Sequence, residues 1–371
     1  MKKIAQISFL ITIILVSCFS CRKDGCTDPN AINYDPNAKK DNGSCYYFTP
    51  TPYALEIPSL FNQYLPEPNI PSDNSLTVEG IALGKKLFSD PILSGDNTIS
   101  CAHCHIPSSA FSDTSRYSLG IDFIAGDRNS MPIMNHAWNY NQLYFWDGRA
   151  FKLEGQAFGP VANPIEMHES WINAVSELQA TSDYPSLFYY AFGTSVIDSV
   201  LVTKAIAQYE RTLISANSKF DRYLQGSEMI SLNEMNGFEI FMSEDKGDCF
   251  HCHGDPTNPL WTDNSFHNNG IDASFSDLGL GGVSGNAADN GKFKTPTLRN
   301  LIFTPPYMHD GRFSTIEDVI EHYSSGLQYS PTIDPLMKNV TNGGAQLTNQ
   351  EKLDLKAFLV TLTDSSFVQN N

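Results

Sequence analysis

Cys101-Ala102-His103-Cys104-His105 and Cys249-Phe250-His251-Cys252-His253 decide the fold of this chain. In each stretch two cysteines lie three residues apart and a histidine follows directly, so one turn of helix presents both thiols and the imidazole together. The thiols can then add to the vinyl groups of a haem while the histidine reaches the iron. Zinc is the chemical alternative, but a four-ligand zinc site would have to join two distant motifs that are each already complete for haem.

The two motifs therefore predict two covalently bound haem c groups. His105 and His253 are the expected iron ligands, whereas His103 and His251 are expected at the surface. The residues expected to bind the cofactors are Cys101, Cys104, His105, Cys249, Cys252 and His253.

Length and charge limit the possible functions. The chain has 371 residues, which is enough for two domains or one large one, and its formal net charge is −17. This acidity argues against nucleic acid as a partner, because phosphate binding needs a basic surface. A negative surface charge keeps a secreted protein soluble, and it can in addition attract a basic redox partner.

Residues 1–21 have the pattern of a bacterial export signal. A basic start precedes a mostly apolar stretch, residues 4–16, that is too short to span a bilayer. The stretch ends in Leu15-Val16-Ser17-Cys18, which resembles the lipobox of bacterial lipoproteins. A plain signal peptide is the alternative. We expect lipidation of Cys18 and a soluble body anchored in the cell envelope of a Gram-negative bacterium, as a periplasmic or outer-membrane lipoprotein.

Two short blocks follow the leader. Residues 22–48 are rich in Asn, Asp, Pro and Gly, so they predict a small turn-rich module stapled by a possible disulfide between Cys26 and Cys45. A spacer or stalk is its expected role, and calcium binding by its Asp and Asn side chains is the alternative. Residues 49–75 contain six prolines, which predict an extended, stiff linker.

The remaining chain predicts a mainly α fold. Helical segments precede both haem motifs, at residues 78–88 and 232–242. Near the C-terminus Thr348-Asn349-Gln350-Glu351 predicts a capping box ahead of an amphipathic helix. We expect two cytochrome c-like haem domains with long loops, residues 76–226 and 227–371.

Three further motifs connect the chain to a known family. They are Phe145-Trp146-Asp147-Gly148-Arg149-Ala150, then Gln156 with Gly159-Pro160, Asn163-Pro164 and Glu166-Met167, and finally Lys294-Thr295-Pro296-Thr297-Leu298-Arg299-Asn300 with Pro306-Tyr307-Met308-His309-Asp310-Gly311. With these motifs, roughly residues 76–365 resemble the bacterial di-haem cytochrome c peroxidase/MauG superfamily. The resemblance implies an N-terminal haem that binds peroxide and a C-terminal haem that transfers electrons.

The resemblance also implies catalytic roles. Glu166 falls on the acid/base position, with Gln156 as its companion and Pro160 shaping the distal pocket. A carboxyl in a haem pocket is desolvated, so its pKa rises and it can exchange a proton near neutral pH. Taken alone, Glu166 would be a surface residue at a helix start. Trp146 falls between the two haems, where an aromatic ring can relay electrons, although a lone tryptophan would more simply be core.

The resemblance leaves alternatives open for the iron ligands. Some family members place a loop histidine on the peroxide-binding iron, but residues 106–135 contain none, and His136 lies beyond the loop. We therefore expect a five-coordinate N-terminal haem at rest that needs no reductive activation.

The second haem departs from the peroxidase pattern. The position fourteen residues after His309, which holds methionine in peroxidases, is Tyr323 here, as in MauG. A tyrosine oxygen is a harder, anionic ligand that lowers the reduction potential. Ser314-Thr315-Ile316-Glu317 is expected to cap its helix. The alternative ligands are Met308, Met337 and His322.

The resemblance implies one more cofactor, a calcium ion between the domains, at positions that match Asn129, Thr304 and Pro306. Taken together, the expectation is a di-haem peroxidase that reduces hydrogen peroxide with electrons from a small cytochrome c or cupredoxin. One alternative is a MauG-like oxidase that acts on a partner protein, which Tyr323 favours. The other is a non-enzymatic electron carrier, against which Glu166 and Gln156 argue.

Overall fold

Helices dominate the computed structural model, which describes residues 23–371, so the predicted leader and Cys18 lie outside the described residues. The expected mainly α architecture is confirmed. The α-helices of the described chain are α1 (Ser59–Tyr64), α2 (Val78–Ser89), α3 (Cys101–Cys104), α4 (Leu153–Gln156), α5 (Phe158–Ala162), α6 (Trp171–Ala180), α7 (Tyr184–Phe192), α8 (Ser199–Arg211), α9 (Lys219–Leu224), α10 (Leu232–Met242), α11 (Phe250–His253), α12 (Leu280–Ser284), α13 (Ile316–Ser325), α14 (Asn349–Thr361) and α15 (Ser365–Asn370).

Strands are few and short, as the sequence predicts. In the described part of the chain they form three two-stranded ladders: β1 (Asp24–Gly25) with β2 (Lys40–Asp41) in parallel, β3 (Leu143–Tyr144) with β4 (Ala150–Phe151) antiparallel, and β5 (Phe266–His267) with β6 (Phe293–Lys294) antiparallel. Among residues 23–371, no helix combines the length and apolar character needed to cross a bilayer.

The N-terminal module, up to Phe48, forms a unit of its own. Cys26 and Cys45 form the expected disulfide. The carboxylate of Asp28 is used inside the module, because Oδ1 accepts from the Asn30 N–H at 2.9 Å and Oδ2 from the Tyr47 hydroxyl at 2.7 Å. Turn chemistry of this kind replaces a hydrophobic core in so short a segment.

Residues 49–371 form the second unit, and its first hydrophobic cluster is built on the crossing of α2 and α8. Gly84 lies at the crossing, where an added Cβ would lie 1.9 Å from the carbonyl oxygen of Ala205. Only glycine allows this approach, which brings the buried Leu83 and Leu87 against Ile206.

The second hydrophobic cluster has the same close, glycine-dependent helix contact at the crossing of α10 and α14. A Cβ on Gly237 would lie 1.9 Å from the carbonyl oxygen of Asp354 and would meet Phe358. Both helices begin with a capping box, and the one at Thr348 and Glu351 is the box that the sequence predicts. The helix ahead of each haem motif is thus anchored in the same way, which is a duplication of architecture.

Two local expectations need correction, and one helix is additional to those expected. The capping box of α13 joins Thr315 and Asp318 instead of Ser314 and Glu317, because Thr315 has the extended backbone that an N-cap requires. Helix α15 follows α14 and was not predicted. Residues 49–75 are not simply an extended linker, since α1 buries Leu60 and Phe61 against the indole of Trp138.

The two halves of the second unit interpenetrate. Phe220 packs in the second cluster although it precedes the expected boundary at residue 226, and Phe367 returns to the first cluster. Arg299 and Asp221, both fully buried, form a bidentate ion pair across this boundary with two contacts of 2.7 Å. The division into two haem domains at residue 226 stays a prediction.

Candidate active site

The first haem motif lines a cavity of about 460 Å³, hereafter the first cavity. Cys101 and Cys104 begin and end α3, and His105 follows at its C-cap, so all three side chains meet the same space. Among residues 23–371 neither thiol has a disulfide partner, and burial raises the pKa of Cys101 to about 12 and of Cys104 to about 11. Two half-buried, neutral thiols that form no disulfide among the described residues lie beside an imidazole, which fits covalent haem attachment.

The orientation of His105 is set by its Nδ1 atom. This atom lies 3.0 Å from the carbonyl oxygen of Phe111 and 3.3 Å from Oγ of Ser130. Burial lowers the pKa of His105, so the ring is neutral and Nδ1 carries the proton that Phe111 accepts. Nε2 is then the nitrogen left for an iron, and the backbone carbonyl fixes its tautomer.

The predicted acid/base group lies in the same cavity. Glu166, Gln156 and Pro160 all line its wall. The Asn163 amide donates to Glu166 Oε1 at 2.6 Å, but burial has the larger effect and raises the pKa of the Glu166 carboxyl. The structure therefore assembles the carboxyl, the amide and the haem motif as the sequence predicts; their catalytic roles stay predictions.

Glu166 lies in a turn that a nearby glycine makes possible. The carbonyl oxygen of Glu166 accepts the N–H of Ile121 at 3.0 Å, which joins this turn to the loop of residues 120–126. A Cβ on Gly120 would lie 2.2 Å from the carbonyl oxygen of Ile165 and 2.5 Å from that of Glu166. A larger residue at position 120 would push the carboxyl-bearing turn away from the loop.

The second haem motif lines a separate, smaller cavity of about 200 Å³, hereafter the second cavity. Cys249, Cys252 and His253 meet it from α11 and the residue before that helix. Neither cysteine forms a disulfide within the described residues, and burial raises the pKa of Cys249 to about 12 and lowers that of His253 to about 4. A neutral imidazole with two unpaired thiols again fits haem c. His251, expected at the surface, is half-buried and pairs with Asp248 at 2.7 Å.

Three candidate distal ligands meet the second cavity. Tyr323, Met308 and Met337 line it, whereas His322 does not. The Tyr323 hydroxyl accepts a hydrogen bond from the Asn269 amide at 3.0 Å, and burial raises its pKa to about 12. Tyr323 thus lies where the sequence places it, and its identity as the ligand stays a prediction.

Trp146 belongs to the wall that the two cavities share. It lines both, is 7% exposed, and its Nε1 donates to the carbonyl oxygen of Asn129 at 2.8 Å. Trp146 therefore lies between the cavities of the two haem motifs, and its role as an electron relay between two haems stays a prediction. Asn129, Thr304 and Pro306, the expected calcium positions, also line the second cavity. Calcium binding there stays a prediction.

Several charged residues of the first cavity were missed. Arg128 bridges Asp147 at 2.5 Å and Asp277 at 2.7 and 2.8 Å, which ties the Phe-Trp-Asp-Gly-Arg motif to the second half of the chain. Glu210 of α8 lines the cavity, and burial raises its pKa to about 8. Lys294 lines both cavities. Only Asp147 and Lys294 stand in a recognisable motif, which was the one signal available.

Comparisons with known proteins agree with this geometry. A sequence model described as di-haem cytochrome c peroxidase matches residues 78–229. The methylamine utilization protein MauG of Methylorubrum extorquens is 39% identical over 298 residues, which are 79% of this chain and 80% of that protein. The cytochrome c551 peroxidase of Nitrosomonas europaea is 36% identical over 64% of this chain and 71% of its own.

Solved structures show the same likeness. The crystal structure of a MauG-like protein associated with microbial copper homeostasis superposes with a TM-score of 0.75 at 33% identity, covering 85% of this chain and 97% of that one. The di-haem peroxidase BthA of Burkholderia thailandensis shares the fold, with a TM-score of 0.69 at 24% identity over 80% of this chain and 88% of its own. This chain therefore belongs to the di-haem cytochrome c peroxidase/MauG family, as an oxidoreductase of a family that holds two haem c groups.

Proposed function

We propose that this protein is a peroxidase that converts one hydrogen peroxide, two electrons and two protons into two molecules of water. The electrons come from a small external redox protein, a cytochrome c or a cupredoxin. One observation carries the proposal: Glu166, a half-buried carboxyl whose pKa is raised by burial, lines the same cavity as the first haem motif. Because the chain belongs to an enzyme family, the alternative of a non-enzymatic electron carrier is not pursued.

The haem held by Cys101, Cys104 and His105 would supply an iron at which peroxide can bind and be reduced. Glu166 accepts the proton of the nearer peroxide oxygen and returns it to the farther oxygen, which leaves as water. The Asn163 amide orients the carboxylate through its bond to Oε1. Gln156, on the same wall, offers an amide that can hold the peroxide or the departing water.

Trp146 is the proposed route for electrons between the two haem groups. Its indole is buried and fixed by the bond to Asn129, so the ring keeps one position in the shared wall. No histidine occurs in the loop of residues 106–135, although His136, one residue further on, lines the first cavity. An open coordination position on the first iron at rest is part of the proposal. Optical and electron paramagnetic resonance spectra of the resting ferric protein test this, because two low-spin haems would contradict it.

The function is tested by turnover with a defined donor. The holoprotein is mixed with hydrogen peroxide and either reduced basic cytochrome c or reduced cupredoxin. We expect fast donor oxidation with a rate that falls as salt is added, because a chain with a net charge of −17 attracts a basic donor. The proposal fails if neither donor is oxidised faster than in a control without the protein.

A MauG-like oxidase is the second candidate, because Tyr323 lines the second cavity and a MauG protein is among the similar relatives. Such an enzyme would use peroxide to oxidise side chains of a partner protein. The two functions separate in one experiment: a mass change in a co-purified partner, with slow oxidation of cytochrome c, supports the oxidase.

Three further features belong to the proposal. The first is a lipid anchor at Cys18 that holds the protein in the periplasm or at the outer membrane, and metabolic labelling with a fatty acid tests it. The second is the Cys26–Cys45 module as a spacer after that anchor. The third is calcium at Asn129, Thr304 and Pro306, which is supported by their common position in the second cavity; elemental analysis of the purified holoprotein tests it.

A further inference from the structure

Lys294 is a buried lysine in the part of the molecule that separates the two cavities. It is 6% exposed and belongs to β6. Its backbone N–H donates to the carbonyl oxygen of Trp146 at 2.8 Å. The residue lines the first cavity, the second cavity and a small cavity of about 40 Å³.

Neutral groups alone accept hydrogen bonds from this amine. Nζ donates to the carbonyl oxygen of Leu143 at 2.8 Å, and its other acceptors, at 3.4 or 3.5 Å, are the side-chain oxygens of Asn139 and Asn141 and the carbonyl oxygen of Asn264. Within residues 23–371 Lys294 forms no ion pair. Burial lowers its pKa to about 7 against a weaker, opposing effect of Asp263.

Two other buried cations of the described chain are paired with a carboxylate. Arg299 faces Asp221 with two contacts of 2.7 Å, and Arg211 faces Glu154 at 2.6 Å. A buried ammonium without an anion is costly, because the loss of hydration is not offset by a partner charge. The described part of the protein thus supplies no anion to pair with Lys294. A bound group that brings an anion would lie in one of the cavities that Lys294 lines.

We propose that Lys294 is the cationic partner of a haem carboxylate at the wall between the two cavities, and that its charge raises the reduction potential of the haem with which it pairs. Haem carries two carboxylate side chains, so either haem can supply the anion. A fixed positive charge favours the added electron of the reduced state, most strongly where water is excluded. Lys294 is thus a positioning residue, which orients a cofactor and sets its potential. The inference rests on the family's two haems and not on the donor or on peroxide turnover.

Spectroelectrochemical titration of the holoprotein tests the proposal. In Lys294→Gln we expect the reduction equilibrium of one haem to shift at least about tenfold towards the oxidised form, which is about 59 mV for one electron. Lys294→Arg keeps the charge and should stay close to the wild-type potentials. Lys204→Gln is the matched control, because Lys204 pairs with Asp73 and lines neither cavity.

The outcomes are decisive in both directions. The haem that supplies the carboxylate is the one whose reduction potential is lower in Lys294→Gln than in the wild-type protein. Unchanged potentials in Lys294→Gln, or an equal shift in Lys294→Arg, overturn the proposal. If Lys294→Gln does not assemble both haems, a crystal structure of the unaltered holoprotein decides. A haem carboxylate within hydrogen-bond distance of Lys294 Nζ supports the pairing. If no haem carboxylate lies within that distance, the pairing is refuted.

Discussion

Replacing Glu166 by glutamine should remove peroxide turnover without harming the fold. Glutamine has nearly the same shape, and its Oε1 can still accept the 2.6 Å hydrogen bond from Asn163. Because burial raises the pKa of Glu166, the fold disfavours the ionised carboxylate. Above that raised pKa the ionised group lowers stability, so the neutral amide should leave the stability of the variant near pH 7 unchanged or slightly higher.

The expected loss follows from the role of the group. A positioned acid/base contributes about 10²–10⁴-fold to a rate, so kcat/KM for peroxide should fall by that factor. At 1.36 kcal/mol for each factor of ten, this is roughly 3–5 kcal/mol of transition-state stabilisation. Steady-state oxidation of a reduced donor by holoprotein with both haems bound measures it.

A pH profile gives a second measure of the same prediction. Glu166 accepts a proton only when ionised, so activity should rise with pH through a limb that lies above the ordinary glutamate pKa of 4.5. Glu166→Gln should lack this limb.

The control is Glu169→Gln. Glu169 is buried only three residues away, but it does not line the first cavity, so full activity is expected. Turnover by Glu166→Gln within a few-fold of the wild-type rate, with both haems present, would refute the assignment of Glu166 as the acid/base.

Three other predictions address stability and the second haem. Asp221→Asn leaves Arg299 buried without its partner and should lower the free energy of unfolding by about 3–5 kcal/mol, seen as an earlier thermal transition; an unchanged transition contradicts this. Tyr323→Met should raise the reduction potential of the second haem, and a potential equal to wild type would show that Tyr323 is not the ligand. Cys45→Ser opens a loop with a sequence separation of 19 residues and should destabilise the N-terminal module by about 3 kcal/mol, so that limited proteolysis cuts it faster; equal cleavage rates speak against the prediction.

Helices with strong local signals were predictable from the sequence. The second of the two segments predicted ahead of the haem motifs coincides with α10, and the first differs from α2 only by its last residue. Caps and helical periodicity are local, so they need no knowledge of the tertiary structure. By contrast, α1 lies in a proline-rich segment and depends on burying Phe61 against Trp138, a contact that no local pattern announces.

The candidate site divides in the same way. Glu166 and Trp146 could be placed because they stand in recognisable motifs, and the structure brings them to the cavities. Glu210 lies in α8 outside any recognisable motif, and its burial is a property of the folded chain that no local pattern predicts. The second iron's ligand is not decided by pattern either, since Tyr323 and two methionines reach the same space.

The ion pair between Asp221 and Arg299 limits how this protein can be dissected. A gene fragment that stops at residue 226 would contain Asp221 without Arg299, and Arg128 without Asp277, one of its two partners. Such a fragment would also lack α15, whose Phe367 fills the first cluster. Single-haem versions are therefore better made by mutating one pair of attachment cysteines in the full chain than by truncation.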